Sequence, residues 1–335
     1  MLTFRGYMTD FWKESPLMAG RLAEVEAILL DALTDSTYPL QSQTKDLVLS
    51  GGKMLRPAFV ILGSQFGPGW KAKGAVKKIP YIAAALELLH TATLVHDDVL
   101  DNAEFRRSKP TLHTKFGTVN AILAGDWLFS KSFRLVAEWA DQRSARILAR
   151  FVGQVCSAEI NQDIGKFSFS TSRREYLRII AGKTAALFSL ALHVGAFEAG
   201  CDLYVTQTLR RAGYNIGMAF QIIDDILDYE SNDTTLKKPV GNDLREGLCT
   251  LPLIFAIDRD PELKVLLVPA GKSGLDDERI DAVVRRVVDS QALGKAKEVA
   301  RSFTARARKE IENLPDSPAK KEFSQLCDKL LARTY

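Results

Sequence analysis

Two clusters of aspartates carry the most pointed chemistry in this chain. Asp97, Asp98 and Asp101 close an otherwise apolar, helix-favouring run over residues 94–101. Asp224, Asp225 and Asp228 recur in the matching apolar run over residues 222–228. In a helix, positions i and i+4 share a face, so Asp97 and Asp101 point the same way one turn apart. Carboxylates crowded at the end of a buried helix repel one another and cost desolvation energy, so a cation must compensate. The ligands on offer are hard oxygens with no His or Cys at zinc spacing. That suits Mg²⁺, which keeps waters and completes its shell with substrate phosphates. His96 alone, beside Asp97, does not make a transition-metal site.

Basic residues follow each cluster. Arg106, Arg107 and Lys109 come after the first, and Lys237 and Lys238, with Asp243, after the second. Arg offers a forked pair of donors to phosphate oxygens and Lys a point charge. Together they describe a Mg²⁺–polyphosphate site on loops above buried helices; charge balancing on a surface loop is the bland alternative. Gly51-Gly52-Lys53-Met54-Leu55-Arg56-Pro57 puts two cations at a helix start, a second anion site. It is not a Walker loop, because GxxxxGK[ST] is absent. Ala181-Gly182-Lys183-Thr184 sets a lysine and a threonine in apolar surroundings, where the lysine needs a partner. GxSxG, GxGxxG and paired-cysteine redox signatures are missing. A phosphate site with no evident protein nucleophile, among long apolar helices, suggests ionisation of a diphosphate ester with an apolar tail.

The elements that must hold these residues read as helices. Apolar periodicity predicts helices over 21–33, 46–50, 55–66, 71–101, 119–139, 142–165, 173–182, 184–199, 202–229, 250–257, 280–293, 295–314 and 318–333. Pro80 is a candidate kink or boundary in the fourth. Ser172 and Glu175 have capping-box spacing, and Ser317 is a candidate cap before Pro318. Residues 102–117 and 230–248 read as polar loops, each directly following an aspartate cluster. No stretch alternates convincingly as a strand. The expected fold is all-α, one helical domain over residues 1–335 around a central cavity.

Composition agrees. The chain has 335 residues, 46% hydrophobic and 26% charged, enough for a large core. A net charge of +4 is too mild to argue for nucleic acid. The four cysteines, Cys156, Cys201, Cys249 and Cys327, are scattered, which suggests a reducing, cytoplasmic setting. Residues 1–18 lack a signal-peptide core. The apolar runs 79–95 and 185–197 read as buried helices rather than membrane spans.

Taken together, these motifs resemble those of the trans-type isoprenyl (polyprenyl) diphosphate synthases. The likeness rests on Gly51–Pro57, Leu89-His90-Thr91-Ala92-Thr93-Leu94-Val95-His96-Asp97-Asp98-Val99-Leu100-Asp101, Arg106-Arg107, Gly217–Asp228, Gly241-Asn242-Asp243 and Thr250-Leu251-Pro252. It implies a usually dimeric all-α enzyme that condenses isopentenyl diphosphate head-to-tail with an allylic diphosphate. A homodimer is expected, with the catalytic half of a heterodimer as the alternative. By motif position, three Mg²⁺ ions would be held by Asp97 and Asp101 and by Asp224. Asp98, Asp225, Asp228 and Asp243 would lie nearby or act through water. Arg106, Lys183 and Lys238 would contact the allylic diphosphate, and Lys53, Arg56, His90 and Arg107 isopentenyl diphosphate. Thr184 and Gln221 would place or stabilise the reacting carbons. Lys237 replaces a glycine common in relatives, and Leu248 a lysine; neither removes a metal ligand.

Product length is expected to depend on residues just before the first cluster. Thr93 and Leu89 lie four and eight residues before Asp97, near its face, and Ala92 lies beside them. Where short-chain members often carry an aromatic floor, Ala92 and Thr93 are small. This points to a medium- or long-chain product, roughly C30 to C40 by family analogy, of the kind used for quinone side chains. Such a lipid would be released near a membrane. Phe129 or Phe133 could form a deeper floor. The rivals are a geranylgeranyl- or farnesyl-type short-chain synthase, a class I terpene cyclase and a non-catalytic partner subunit. Asp224–Asp228 and the Lys53/Arg56 site argue against the cyclase, and retention of both aspartate clusters argues against the non-catalytic subunit.

Overall fold

The structure is a computed structural model that describes residues 11–35, 37–49, 52–71, 73–106, 109–230, 240–268 and 274–331. The described chain is almost entirely helical and forms two compact units. One comprises Met1–Leu148 and Ala191–Leu209, the other Ala149–Leu190 and Arg210–Tyr335.

The first unit is built on one long helix. In chain order its helices are α1 (Pro16–Ala32), α2 (Gln41–Leu49), α3 (Leu55–Ser64), α4 (Lys73–Leu100), α5 (Leu112–Phe116) and α6 (Thr118–Trp139). Helix α4 continues through Pro80, so no boundary falls there. From Ala83 to Leu89 it is buried on every side except at Glu87's margin, as expected of a helix apolar all round. It packs along α6, α3 and α1. Residues 102–117, expected as plain loop, contain a minimal hairpin that pairs Phe105–Arg106 (β1) with Lys109–Pro110 (β2), then α5. Two-residue strands are too short to show a period. Gly63 and Gly195 let α3 and residues 191–198 meet backbone to backbone. A Cβ on Gly63 would lie 2.5 Å from the Leu192 carbonyl oxygen, and one on Gly195 would strike that of Val60.

The second unit opens with residues 149–164 of α7 (Gln142–Ile164). Helix α8 (Arg173–Ile180) follows behind the capping box expected of Ser172 and Glu175. The Ser172 amide donates to Glu175 Oε2 at 2.9 Å and the Glu175 amide to Ser172 Oγ at 3.3 Å. A π turn, Ala181–Ala185, separates α8 from α9 (Ala186–Glu198), where the sequence suggested only adjoining helices. Helix α10 (Leu203–Glu230) carries the second aspartate cluster. Beyond it come α11 (Asn242–Arg245), α12 (Leu251–Arg259), α13 (Leu263–Leu266), α14 (Asp277–Asp289), α15 (Ala292–Glu312) and α16 (Pro318–Leu331). Helix α12 packs on α14 and α15, and α15 on α16. The Lys320 amide donates to Ser317 Oγ at 3.2 Å, the expected cap.

One continuous stretch, Arg173–Glu198, is long and apolar enough to cross a membrane, with a mean hydropathy of 1.5. Of that apolar window, 67% is buried inside the protein, which makes it core.

Candidate active site

In the first unit, the start of α3 carries the Lys53/Arg56 pair. Met54 precedes the helix in a left-handed conformation, at φ 49°. A side chain pays for that region, so other contacts must hold the turn. Trp12 Nε1 donates to the Lys53 carbonyl oxygen at 2.8 Å, and Lys53 Nζ sits 5.0 Å from the centroid of the Phe11 ring. The turn aims two cations near a helix N-terminus. His90 is half-buried on α4.

The C-terminal end of α4 carries Asp97, Asp98 and Asp101. Asp97 and Asp101 are part-exposed on one face, and the Asp101 amide donates to the Asp97 carbonyl oxygen at 2.8 Å. Asp98 points elsewhere. It is 4% exposed and accepts from Arg106 Nε at 2.6 Å. Burial raises its carboxyl above the usual range despite the guanidinium beside it. Asp98 thus carries Arg106, leaving the guanidinium's terminal donors for another anion. His96 seats this helix end on α6. Its Nε2 lies 3.1 Å from the Ile122 carbonyl oxygen and 3.5 Å from Asp126 Oδ1, and its ring packs on Phe129. Gly125 makes room, since a Cβ there would strike the imidazole.

Leu89 and Ala92 are buried, and Thr93 is part-exposed with its hydroxyl on the His90 carbonyl oxygen. Phe133 does not fit a deeper floor, because it is 46% exposed on the outer side of α6.

In the second unit the expected residues gather around one cavity of about 200 Å³. Lys183, Thr184, Gln221, Asp225 and Asp243 all line it. The π turn presents the first two, as wide turns often do at functional positions. It fits because Gly182 has no side chain: a Cβ there would come 2.8 Å from that of Ala158 on α7. Lys183 Nζ pairs with Glu159 Oε2 at 3.0 Å. Thr184 Oγ1 donates to Gln221 Oε1 at 2.6 Å, and Gln221 Nε2 donates to Asp225 Oδ1 at 2.8 Å.

Asp224 is exposed on α10, whereas Asp225 is 5% exposed. Asp225 Oδ2 accepts from the Tyr176 hydroxyl at 2.5 Å. Burial pushes Asp225 up to about 7, against the pull of Tyr176 and Gln221. Burial raises Asp243 as well, with Asp225 and Asp228 adding to it. Asp228 accepts from the amides of Asn242 at 3.2 Å and Asp243 at 3.0 Å, tying α10 to α11. Arg107 and Lys238 lie outside the described residues, as does Lys237.

Among the described residues, no three His, Cys, Asp or Glu side chains form a ready-made metal cage. The donors are carboxylates in ones and twos, Asp97 with Asp101 and Asp224 with Asp228. That set fits Mg²⁺, bound through a few carboxylates, waters and substrate phosphates. The raised Asp225 and Asp243 fit as well, since a divalent cation replaces the proton such carboxyls otherwise keep.

Sequence reasoning missed Tyr176 and Glu159. Tyr176 precedes Lys183 by seven residues, about two α-helical turns, so an unbroken α-helix would put the two on one face. That spacing was the available signal. Glu159 had none, because its partner is distant in sequence.

Residues 38–287 match the polyprenyl synthetase family model. The chain is similar to heptaprenyl diphosphate synthase component 2 of Bacillus subtilis, at 34% identity over 91% of this chain and 86% of that protein. It is similar also to octaprenyl diphosphate synthase of Escherichia coli, at 30% identity over 91% and 94%. The solved heptaprenyl diphosphate synthase of Staphylococcus aureus superposes with a TM-score of 0.88, at 34% identity over 95% of this chain and 99% of that one. The geranylgeranyl pyrophosphate synthase of Lactobacillus brevis superposes at 0.89, with 33% identity over 96% and 99%. A helical chain with paired aspartate clusters and a lysine–threonine–glutamine cavity, matched over nearly its whole length by such synthases, belongs to the polyprenyl synthetase family of prenyltransferases.

Proposed function

We propose that this chain condenses isopentenyl diphosphate with an allylic diphosphate to make an all-trans polyprenyl diphosphate of roughly C30 to C40. The observation that carries the reading is the cavity in which Lys183, Thr184, Gln221, Asp225 and Asp243 meet. Residues named for one reaction, from separate stretches of sequence, line a single space. The two units act as one catalytic domain.

Three Mg²⁺ ions, bound together with substrate, would supply the positive charge that neutralises the diphosphate and its departing pyrophosphate. Asp97 and Asp101 would hold two of the ions and Asp224 the third, with Asp228 and Asp243 adding support. Asp225 supports through Gln221, and Asp98 through Arg106. Arg106, Lys183 and Lys238 bind the allylic diphosphate; Lys53, Arg56, His90 and Arg107 bind isopentenyl diphosphate. The allylic C–O bond breaks with its electron pair leaving on pyrophosphate. The alkene of isopentenyl diphosphate attacks the resulting cation, and a proton leaves to pyrophosphate. Thr184 and Gln221 stabilise the cation, and the apolar helix walls keep water from quenching it.

Small residues at Ala92 and Thr93 support the longer product, with Leu89 beneath them. A product of that length partitions into lipid, so a cytoplasmic enzyme would release it at a membrane surface. Self-association is supported by the apolar outer face of α6, where Val119 is 70% and Leu123 57% exposed. A second reading, the catalytic subunit of a heterodimer, is favoured by relatives named as component 2.

The test is the purified chain alone with Mg²⁺, labelled isopentenyl diphosphate and farnesyl diphosphate, the products resolved by mass. Elongation to long chains is expected, and its loss in Asp97→Ala and Asp224→Ala. Near-normal rates in those variants would overturn the metal assignment. No elongation without a partner would favour the heterodimer.

A further inference from the structure

One chain of hydrogen bonds in the cavity has a direction. Thr184 Oγ1 lies 2.6 Å from the amide oxygen of Gln221, which can only accept, so Thr184 spends its single hydroxyl proton there. Gln221 can keep that oxygen toward Thr184 because its amide nitrogen is engaged by Asp225 Oδ1 at 2.8 Å. Asp225 is oriented in turn by Tyr176, whose hydroxyl donates to Oδ2 at 2.5 Å. Tyr176, Asp225 and Thr184 are 4%, 5% and 8% exposed, so water competes poorly for any link. All four side chains line the same cavity. With its proton committed, the Thr184 oxygen has only lone pairs to offer that space. Lone pairs stabilise a carbon that becomes positive, whereas an O–H dipole aimed at it destabilises it.

We propose that Tyr176 is a positioning residue for prenyl transfer, acting through Asp225 and Gln221 to turn the Thr184 hydroxyl so that its lone pairs face the ionising allylic carbon. The inference rests on the reaction proposed above. Tyr176 touches no substrate. Its hydroxyl fixes the order of donors and acceptors two residues away.

A double-mutant cycle tests it, using Tyr176→Phe, Thr184→Val and the double variant of the full chain. Each is assayed with both diphosphates for kcat, KM and the fraction of allylic diphosphate released as alcohol. Tyr176→Phe is expected to lower kcat about tenfold with KM within about twofold, and to raise the alcohol fraction. In the Thr184→Val background, Tyr176→Phe costs less than about twofold, because the hydroxyl it acts through is gone. Losses that multiply, or a loss confined to KM, overturn the proposal. Should Tyr176→Phe not fold, the cycle of Gln221→Met with Thr184→Val decides by the same criterion. A wild-type chain that transfers no prenyl group overturns the reaction itself, a different result from multiplying losses in an active enzyme.

Discussion

Asp225 makes the metal-free protein sensitive to pH in a direction opposite to that of most carboxylates. Burial raises its carboxyl to about 7, from an ordinary value of 3.8. Between those two values the folded chain keeps a proton that the unfolded chain releases. Stability is therefore fully present below the unfolded value and is lost as pH rises through the folded one. One such proton gives a slope of about 1.4 kcal/mol per pH unit, so raising pH from 5 to 7 without metal costs about 2–3 kcal/mol. Asp243 shifts the same way, and the two titrate as a pair. Bound Mg²⁺ needs the ionised form, so it removes this slope. At a hundred times its dissociation constant it adds about 2.7 kcal/mol. The assay is urea unfolding at pH 5, 6, 7 and 8, in chelator and then in excess Mg²⁺, for the wild type and Asp225→Asn. The difference between the two proteins reports Asp225 together with the lift it gives Asp243, and it should shrink when Mg²⁺ is present. A metal-free wild type whose stability is flat or rises over this range relative to Asp225→Asn would refute the reasoning.

Other perturbations follow from the packing and the charges. Ala92→Phe should shorten the product, read by mass analysis; an unchanged length would remove Ala92 from control of length. Asp98→Asn leaves Arg106 without its carboxylate, costing about 1.5–3 kcal/mol of stability. It should raise KM for the allylic diphosphate more than for isopentenyl diphosphate, and equal effects would disprove the assignment of Arg106. Gly195→Ala, which meets the backbone of Val60, should destabilise by about 1–3 kcal/mol in thermal unfolding. Gly153→Ala on α7, with open space around its Cβ, should be neutral or stabilise by up to about 1 kcal/mol. Equal effects of these two glycine substitutions would mean that α3 and residues 191–198 are not in backbone contact.

The helices were legible because their periods are long and their punctuation is local. Ser172, Glu175 and Pro318 mark helix starts through contacts within four residues, which a sequence shows directly. Asp97 and Asp101 were legible for the same reason. Asp98 was not: its place in the cluster suggests a role beside the metal, and only the fold of residues 102–106 reveals that it turns inward to Arg106. Tyr176 was not legible either, since nothing near it in sequence names Asp225 as its partner. The ion pair of Lys183 and Glu159 likewise depends on the crossing of α7 with the π turn. Phe133 read as a floor because periodicity places it one turn from Phe129; the exposed side of α6 is decided by packing that sequence spacing does not encode.

The π turn at Ala181–Ala185 makes residue number itself a determinant of the site. A π turn is equivalent to one residue inserted into an α-helix. Deleting one residue just before Lys183 would keep the lysine–threonine pair and let α8 run smoothly into α9. It would also rotate all that follows by about 100° relative to Tyr176, the angle one residue subtends in an α-helix. Lengths altered by one residue between Tyr176 and Thr184 should therefore be far less tolerated than substitution of Arg178, the exposed residue between them.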